Sequence, residues 1–298
     1  MTASPALEDA TTADSGRAAL VPLLELPEFC ASQVRGAGMP PVLEKRYGGP
    51  LLVPLRTDRP TVVANFVTTL DGIVAFGSGD LSGGGVVSGF HEPDRFVMGL
   101  LRALADVVVI GAGTLAGTTA HRWIAQHAHP ASASAFEEWR ATMGLAPRPT
   151  TVVVTATGNV PVRHPGLNDP SIPAVIATTP TGAQRLADAD LPANVTVEPI
   201  GPGPRLAGSD VLALAERLGA RLVLSEGGPH LVGELVGSDL LDELFLTLAP
   251  QLAGRAGERL GLVEGVALPP HDTRWQDLVS IRGSSNHLFL RYRRRSAV

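Results

Sequence analysis

Two segments of this sequence combine an apolar strand, a glycine-rich turn and an apolar helix, and both could bind phosphate. The first runs Val107-Val-Val-Ile-Gly-Ala-Gly-Thr114, and the second runs Leu222-Val-Leu-Ser-Glu-Gly-Gly-Pro-His-Leu231. Glycines let a ligand come close to the backbone, and the start of a helix offers unpaired N–H groups and the positive end of its dipole to an anion. Two such turns in one domain suit a long ligand with several phosphates, such as a dinucleotide.

The first glycine turn, residues 111–114, does not follow the fingerprint of a Rossmann domain. In the G-x-G-x-x-G pattern a third glycine would occupy position 116, whereas here Gly117 comes one residue late. A second strand ending in an acidic residue about 20 positions further on is also missing. Two interpretations remain: a nucleotide-binding turn of another fold, with the Thr114 hydroxyl bonding a phosphate, or a tight turn whose glycines serve only packing.

The second glycine turn, residues 226–229, begins with a carboxylate. Pro229 has no N–H and suits the first position of a helix, while Gly227 and Gly228 leave room for a diphosphate. A carboxylate aimed at a phosphate would repel it, so we expect Glu226 to face a substrate and to accept hydrogen bonds. The alternative is that Glu226 only stabilises the start of the helix through the helix dipole.

Polar side chains also lie near the ends of two other apolar segments. The segment Asn65-Phe-Val-Thr-Thr-Leu-Asp-Gly72 ends an apolar strand in hydroxyls, a carboxylate and a glycine, although Asp-Gly is equally an ordinary turn pair. Arg102 lies near the end of an apolar helix that leads into the first glycine turn. Its guanidinium could bind a substrate phosphate, or it could stabilise the carboxyl end of its own helix.

Composition argues against several classes of function. A net charge of −5 and a pI near 5.9 disfavour nucleic acid or an anionic membrane as the partner. Lys45 is the sole lysine, and it lies outside the contexts that Schiff-base chemistry or a Walker phosphate loop requires. With one cysteine, Cys30, and scattered histidines, no metal site is predicted. The sequence has neither a signal peptide nor an apolar run that could span a bilayer, so a cytoplasmic protein is expected.

The elements that must position these residues alternate between strand and helix from residue 61 onward. Strands are predicted at 62–68, 107–110, 151–155, 174–177, 195–199, 222–224, 243–249 and 287–292, and helices at 93–104, 134–142, 181–187, 209–218 and 231–236. This alternation predicts an α/β sandwich with a largely parallel sheet and a few antiparallel strands near the carboxyl terminus.

Three segments fall outside this alternation or interrupt it. Residues 1–18 are predicted to be disordered, residues 19–60 to form a wrapping arm, and residues 61–298 to form the main domain. Within that domain, residues 78–89 are too rich in glycine for a regular element, so we expect either a flap over a site or a plain surface loop.

Five short motifs, taken together and in order, resemble one family. They are Asn65…Thr69-Leu-Asp-Gly72, Leu101-Arg-Ala…Ala-Asp106, Gly111-x-Gly-Thr114, Glu226-Gly-Gly228 and Leu241-Asp-Glu-Leu…Ala249-Pro250…Gly254. Over about residues 61–294 the chain resembles the pyrimidine reductases of riboflavin biosynthesis. The resemblance implies a dihydrofolate reductase-like three-layer sandwich with a mostly parallel central sheet, NADPH as cofactor, and reduction of a ribosylaminopyrimidine 5′-phosphate to its ribitylamino product.

The same resemblance implies an assembly and a set of site residues. It implies a homodimer and, since a zinc deaminase domain needs more than one cysteine, a stand-alone reductase. Asp71 and Glu226 are the candidate catalytic carboxylates. Asn65, Ser88 and Arg102 would line the substrate side. NADPH would be held by Thr68, Gly111, Gly113, Thr114, Thr155, Gly227, Gly228, Pro229, His230 and Leu231, with Thr155 near the adenosine 2′-phosphate.

One segment departs from the family's pattern. Members usually follow Gly-x-Gly-Thr with an acidic pair, a proline, and a leucine and an arginine that contact substrate, whereas this chain has Leu115-Ala-Gly-Thr-Thr-Ala-His-Arg-Trp123. The cofactor half of the site is therefore expected to be intact and the substrate half to be altered. Two alternatives follow: a folate or pteridine reductase on the same fold, and a non-catalytic relative that binds NADPH.

Overall fold

The computed structural model describes residues 19–26, 32–77 and 83–295. The disorder predicted for residues 1–18 lies outside these described residues. Segments rich in valine and isoleucine form strands, as at Val107–Gly111, because β-branched side chains pack well on a sheet that is covered on both faces.

Ten of the described strands form one sheet. Its order is β1-β13-β14-β11-β4-β10-β6-β7-β8-β9. The seven strands from β11 to β9 run parallel to one another. The pairs β11–β14, β14–β13 and β13–β1 are antiparallel. Two short pairs, β2 with β3 and β5 with β12, lie outside this sheet. The bounds are β1 (Val21–Glu25), β2 (Val34–Arg35), β3 (Val53–Pro54), β4 (Thr61–Thr68), β5 (Ile73–Ala75), β6 (Val107–Gly111), β7 (Thr150–Thr155), β8 (Ala174–Thr178), β9 (Val195–Pro199), β10 (Leu222–Ser225), β11 (Glu243–Leu248), β12 (Leu260–Gly261), β13 (Gln276–Ser284) and β14 (His287–Arg294).

Helices cover both faces of the sheet. They are α1 (Pro41–Tyr47), α2 (Gly84–Ser88), α3 (Glu92–Leu104), α4 (Ala112–Ala116), α5 (Ala125–Ala128), α6 (Ala133–Thr142), α7 (Pro180–Leu186), α8 (Gly208–Arg217) and α9 (Pro229–Gly237). One core joins α1, α3 and α6 to one face of the sheet, and a second core joins α8 and α9 to the opposite face. Successive residues of β4 alternate between the two cores, as the pleat of a strand requires. Among the described residues, no helix has both the length and the apolar character to cross a membrane.

The predicted fold class, an α/β three-layer sandwich with a mostly parallel central sheet, is confirmed. All the strands and helices predicted from residue 61 onward are present, with ends within two residues of the predicted ones. These elements were predicted from apolar runs that are bounded by glycine, proline and polar turn residues. Such runs are long here because both faces of the sheet are covered by helices.

Strand β13 was not predicted, because its inward side chains are polar. Ser280, Arg282 and Ser284 are buried at alternate positions, which inverts the usual pattern of an apolar inner face. Arg282 is accommodated by the backbone carbonyl of Tyr47 at 3.0 Å, by the Ser280 hydroxyl at 2.8 Å and by the face of the Tyr47 ring. Because Tyr47 lies on α1, far away in the chain, the sequence of β13 alone does not indicate a buried strand.

The described part of residues 19–60 adds to the main sheet and core. Strand β1 pairs with β13 at the edge of the ten-stranded sheet, and α1 buries Leu43 and Tyr47 in the first core. Arg35 donates two hydrogen bonds of 3.0 Å to the carboxylate of Asp106, next to β6. This segment therefore contacts the site-bearing strands through both packing and charge.

The prediction that residues 78–89 contain no regular element was wrong for their second half. Gly84–Ser88 form the short helix α2, which ends at Gly89 with a left-handed φ of 64°. Val87 is fully buried against Val67 and Ala249, so a hydrophobic contact stabilises a helical turn that the glycine content alone would disfavour. Residues 78–82 lie outside the described residues.

Candidate active site

The candidate residues lie mainly where parallel strands end at one edge of the sheet. Strands β4, β10, β6 and β7 are consecutive neighbours, so the segments that follow Thr68, Ser225, Gly111 and Thr155 lie side by side. The carboxyl edge of a parallel sheet is the usual place for a ligand in α/β folds. The order of the strands thus brings together residues that are far apart in the sequence.

The two glycine turns face each other across neighbouring strands. The Glu226 N–H donates to the carbonyl of Val109, at 3.0 Å, which extends the pairing of β10 with β6 into the second turn. A Cβ atom built on Gly228 would have the Thr114 hydroxyl, 3.7 Å away, as its sole neighbour within 4 Å. The two turns therefore line opposite sides of one opening.

Glycine is not required by the protein's own packing at three positions of these turns. A Cβ atom at Gly111 or Gly113 would meet nothing within 4 Å, and one at Gly228 would make only the contact with Thr114. By contrast, a Cβ at Gly227 would lie 2.4 Å from Leu231 Cδ2. The packing interpretation of the glycines therefore fits Gly227, whereas the other three leave space that a ligand could fill.

Helix α9 begins at the second turn without a side-chain cap. Gly228 is the residue before the helix, and no side chain accepts a hydrogen bond from its first N–H groups. The Ser225 hydroxyl, which is fully buried beside this turn, has no hydrogen-bond partner among the described residues. His230 is exposed and Leu231 is half-buried in the first turn of α9. The unpaired Ser225 hydroxyl and the positive end of the helix dipole favour an anion at this end of the helix.

Glu226 is held by Arg102, in a buried ion pair. Arg102 Nε donates to both carboxylate oxygens, at 3.1 and 3.0 Å, and Nη2 donates to Oε2 at 2.6 Å. The side chains are 1% and 7% exposed, respectively. The alternative that Glu226 caps α9 therefore does not match the structure, since its oxygens bind the guanidinium of Arg102 and α9 has no side-chain cap.

The remaining N–H groups of Arg102 bind the segment that departs from the family's pattern. Nη1 donates to the carbonyls of Arg122, at 3.1 Å, and of Ile124, at 3.4 Å, and Nη2 lies 2.8 Å from Nε2 of His121. A guanidinium has five N–H donors, and all five of these have acceptors within the protein. The sequence suggested that Arg102 binds a substrate phosphate or stabilises the end of its own helix; in the structure its guanidinium is buried and is bound by Glu226 and by the segment after α4.

Asp71 is exposed and ties two loops together. Its carboxylate accepts hydrogen bonds from the Thr69 hydroxyl, at 2.6 Å, and from the N–H groups of Ala253, at 3.1 Å, and Gly254, at 2.5 Å. The Thr69 hydroxyl, followed by these backbone N–H groups, lowers the pKa of Asp71 to about 2. Asp71 is therefore ionised near neutral pH, as an acceptor of hydrogen bonds.

The other candidate residues occupy positions at or near the same edge. Thr68 is buried and donates to the carbonyl of Thr69 at 3.1 Å, and Thr155 is buried at the end of β7. Asn65 is half-buried in β4, opposite Phe245 of β11. Ser88 is buried at the end of α2, where its hydroxyl donates to the carbonyl of Gly85 at 3.2 Å.

Asp94 is a buried carboxyl group that sequence reasoning missed. Burial raises its pKa to about 6, hydrogen bonding with the side chains of Thr247 and Ser88 opposes this rise, and the charge of Glu226 adds to it. An acidic residue in the first turn of a helix ordinarily complements the helix dipole at the surface, so burial of Asp94 was not expected. Its contacts with β11 and α2 place a partly protonated carboxyl group close to Glu226.

No metal centre accompanies these groups in residues 19–26, 32–77 and 83–295. Within those ranges no three histidine, cysteine, aspartate or glutamate side chains come together in a way that could hold a metal ion.

The fold is shared with two solved bacterial proteins. RibD of Acinetobacter baumannii (form 1) matches with a TM-score of 0.60 and 19% identity, over 80% of this chain and 59% of that chain. A pyrimidine reductase-like protein of Corynebacterium diphtheriae matches with a TM-score of 0.61 and 18% identity, over 80% of this chain and 93% of that chain.

A relative in sequence and a family match define the class of protein. A reductase of Archaeoglobus fulgidus, named 2,5-diamino-6-ribosylamino-4(3H)-pyrimidinone 5′-phosphate reductase, is 26% identical over 196 residues, which are 66% of this chain and 83% of that protein. Fold and relative together indicate an oxidoreductase. The family model of the RibD C-terminal domain matches residues 60–286, and the chain belongs to that family. The resemblance predicted from the motifs is thus confirmed.

We predict that replacing Asp94 with Asn stabilises the protein at neutral pH. Because the pKa of Asp94 is raised from 3.8 to about 6 in the folded state, its ionisation disfavours folding, and this cost grows as the pH rises from about 4 to about 6. A difference of two pKa units corresponds to about 3 kcal/mol. In urea unfolding, Asp94→Asn should exceed the wild type in stability at pH 7 and lose this advantage at pH 4.

Asp71→Asn is the matched control, with the opposite sign. The pKa of Asp71 is lowered in the folded state, so its ionised form stabilises folding above about pH 4, and this contribution is lost as the pH falls through about 2. Asp71→Asn should therefore be less stable than the wild type at pH 7. Equal stability of Asp94→Asn and the wild type at both pH values would mean that Asp94 is not desolvated as described.

Proposed function

We propose that this protein uses NADPH to reduce a ribosylaminopyrimidine 5′-phosphate to the ribitylamino product, as in the 5-amino-6-(5-phosphoribosylamino)uracil reductases. Membership of the RibD C-terminal domain family and the name of the archaeal relative support this reaction class. The observation that carries the proposal is the space left at Gly111, Gly113 and Gly228 between two facing turns. Among the described residues, the Thr114 hydroxyl is the one group that comes within 4 Å of a Cβ atom built at any of these three positions.

The fit of the cofactor to these turns is chemically specific. The open space and the uncapped start of α9 suit a diphosphate, which Gly111, Gly113, Thr114, Gly228 and the first residues of α9 would hold. When bound, a nicotinamide cofactor supplies a hydride. The protein contributes binding, orientation and a route for the proton that must accompany the hydride.

The 2′-phosphate of NADPH would lie beside the end of β7. Thr155 ends this strand, and the exposed Arg185 of α7 donates to the carbonyl of Thr157 at 3.1 Å. A guanidinium and hydroxyl groups are suited to a phosphate, whereas a carboxylate would be needed to bind a free 2′-hydroxyl. This arrangement supports NADPH over NADH.

Of the two candidate catalytic carboxylates, Glu226 is the better placed. It belongs to the second glycine turn, and Arg102 fixes its orientation through three contacts. The oxygens of Asp71 are engaged by Thr69 and by the loop at Ala253 and Gly254. We infer that Glu226 contacts the substrate and that Asp71 holds a loop beside it, with Asn65 and Ser88 lining the same side.

The proposed assembly is a homodimer. The outer edge of β1 has no strand partner among the described residues, and Val21 and Leu23 expose 57% and 58% of their surfaces there. An exposed apolar edge strand is a ready site for pairing with another chain. A second copy, which presents the same edge, would cover it by a symmetric contact next to the carboxyl-terminal strands.

The reaction itself is tested by the oxidation of NADPH, followed by absorbance. We expect turnover with the ribosylaminopyrimidine 5′-phosphate and none with dihydrofolate.

Fluorescence titration should give a Kd for NADPH at least about tenfold lower than for NADH, which corresponds to about 1.4 kcal/mol, and Arg185→Gln should reduce this difference. Turnover of dihydrofolate alone would identify a pteridine reductase, and NADPH binding without any turnover would identify a non-catalytic relative.

The cofactor site is tested by adding a side chain at Gly228. Because a Cβ there contacts only the Thr114 hydroxyl, Gly228→Val should fold with the melting temperature of the wild type. Its isopropyl group would occupy the space for the diphosphate, so NADPH affinity should fall at least about tenfold. Gly227→Val is the contrasting variant, which should melt earlier because its Cβ would lie 2.4 Å from Leu231. Normal NADPH binding by a folded Gly228→Val would show that the turn is structural.

The role of Glu226 is tested by removing its charge. Glu226→Gln keeps an acceptor for Arg102, and because Glu226 points away from the diphosphate site, NADPH affinity should stay the same or improve slightly. We expect kcat/KM for the pyrimidine substrate to fall by about 10²-fold, the scale of lost acid–base assistance. Asp71→Asn should cost less. If Asp71→Asn lowers kcat/KM more than Glu226→Gln does, and Glu226→Gln weakens only NADPH binding, then Asp71 is the catalytic carboxylate and Glu226 is not.

A further inference from the structure

The segment that departs from the family's pattern places an imidazole on the Arg102–Glu226 pair. Nη2 of Arg102 donates to Glu226 Oε2 at 2.6 Å and lies 2.8 Å from Nε2 of His121. His121 is therefore two hydrogen bonds away, through Arg102, from the carboxylate that we propose as the substrate contact. Its ring is partly buried and packs edge-on against Trp123 and His127, with ring centroids 5.0 and 4.8 Å away.

This contact fixes which nitrogen of His121 carries the proton. A guanidinium has donors and no acceptor, so Nε2 of His121 must accept. Burial first, and the positive charge of Arg102 second, lower the pKa of His121 to about 2, so the ring is neutral at physiological pH. A neutral imidazole that accepts at Nε2 carries its hydrogen on Nδ1. His121 is thus a hydrogen-bond donor without charge.

The Nδ1–H of His121 has no hydrogen-bond partner within the described part of the chain. His121 makes a single side-chain hydrogen bond there, through Nε2 to Arg102, and Nδ1 is not among the buried atoms that lack a partner. The donor is therefore left for solvent or for a ligand. Because Arg102 and Glu226 form an ion pair without net charge beside this uncharged donor, a neutral oxygen suits this position better than a phosphate.

We propose that His121 determines substrate specificity by donating a hydrogen bond from Nδ1 to a neutral oxygen of the substrate, either a ring carbonyl or a sugar hydroxyl. This assignment rests on the proposed function, since it adds a contact to the same site. Arg102 positions both substrate contacts, because it orients the Glu226 carboxylate and selects the tautomer of His121. The substrate's phosphate then binds to other groups.

Two variants separate the nitrogens of His121. In His121→Gln the amide oxygen takes the place of Nε2, so the acceptor for Arg102 is kept while the Nδ1 donor is lost. In His121→Asn the amide nitrogen takes the place of Nδ1, so the donor is kept while the acceptor is lost. We expect His121→Gln to melt like the wild type, to bind NADPH normally and to raise KM for the pyrimidine at least about tenfold with little change in kcat, because a contact of equal strength in ground and transition states is removed.

His121→Asn should show the reverse pattern. Arg102 would lose one of its buried acceptors, so this variant should melt earlier than His121→Gln while its KM stays closer to that of the wild type. His127→Gln is the matched control, because His127 contacts the ring of His121 without a hydrogen bond to Arg102. It should leave KM within about twofold of the wild type. If His121 has only a structural role, both His121 variants should instead be less stable than the wild type, and their KM values should not differ from each other.

The tautomer is measured directly, without any substrate. In protein labelled with ¹⁵N-histidine, the ring signals that disappear in His121→Gln identify His121, and they should report a proton on Nδ1 and none on Nε2 from pH 7 to pH 5. A proton on Nε2, or a charged ring at pH 5, would overturn the assignment whatever the substrate is. An unchanged KM in His121→Gln with an active wild type would overturn the contact alone, and an inactive wild type would instead overturn the proposed function and the contact with it.

Discussion

The buried ion pair between Arg102 and Glu226 is the interaction on which the rest of the candidate site depends. Two charges taken out of water stabilise a fold only when all of their hydrogen bonds are made, and breaking such a pair costs about 3 to 5 kcal/mol. Arg102 meets that condition by binding the carboxylate of Glu226, an imidazole and two backbone carbonyls. One guanidinium therefore joins helix α3, the turn after β10 and the segment after α4.

The pair also sets the electrostatic character of the opening between the glycine turns. An unpaired carboxylate at Glu226 would repel a diphosphate bound a few residues away, and the effect would be large at the low effective dielectric of a partly buried site. Neutralised by Arg102, the same carboxylate can lie next to the uncapped start of α9 without opposing an anion there. An acidic side chain in a phosphate-binding turn is thus compatible with the function because the fold supplies its counter-charge.

The sequence was sufficient where a property is local and insufficient where it depends on partners far along the chain. Strands such as β6 and the glycine turns follow from local apolar runs and turn residues, and they were predicted within two residues. Strand β13 was missed because Arg282 is buried by contacts with Tyr47 of α1. Asp94 was missed because its burial depends on Thr247, and the state of His121 depends on Arg102. The identities of these residues were visible, but their charge states were set by neighbours that only the fold brings together.

The pairing of β1 with β13 has a consequence for how the protein is made. Val21 aligns with Gly283, so the two strands at this edge come from nearly opposite ends of the described chain. Contacts of such long sequence separation form late, since the entropy of closing the intervening loop must be overcome first. On the ribosome, β1 emerges early and must wait for almost all the rest of the chain before its partner strand exists. During that interval the backbone N–H and C=O groups of β1 are without the strand that pairs with them in the folded protein.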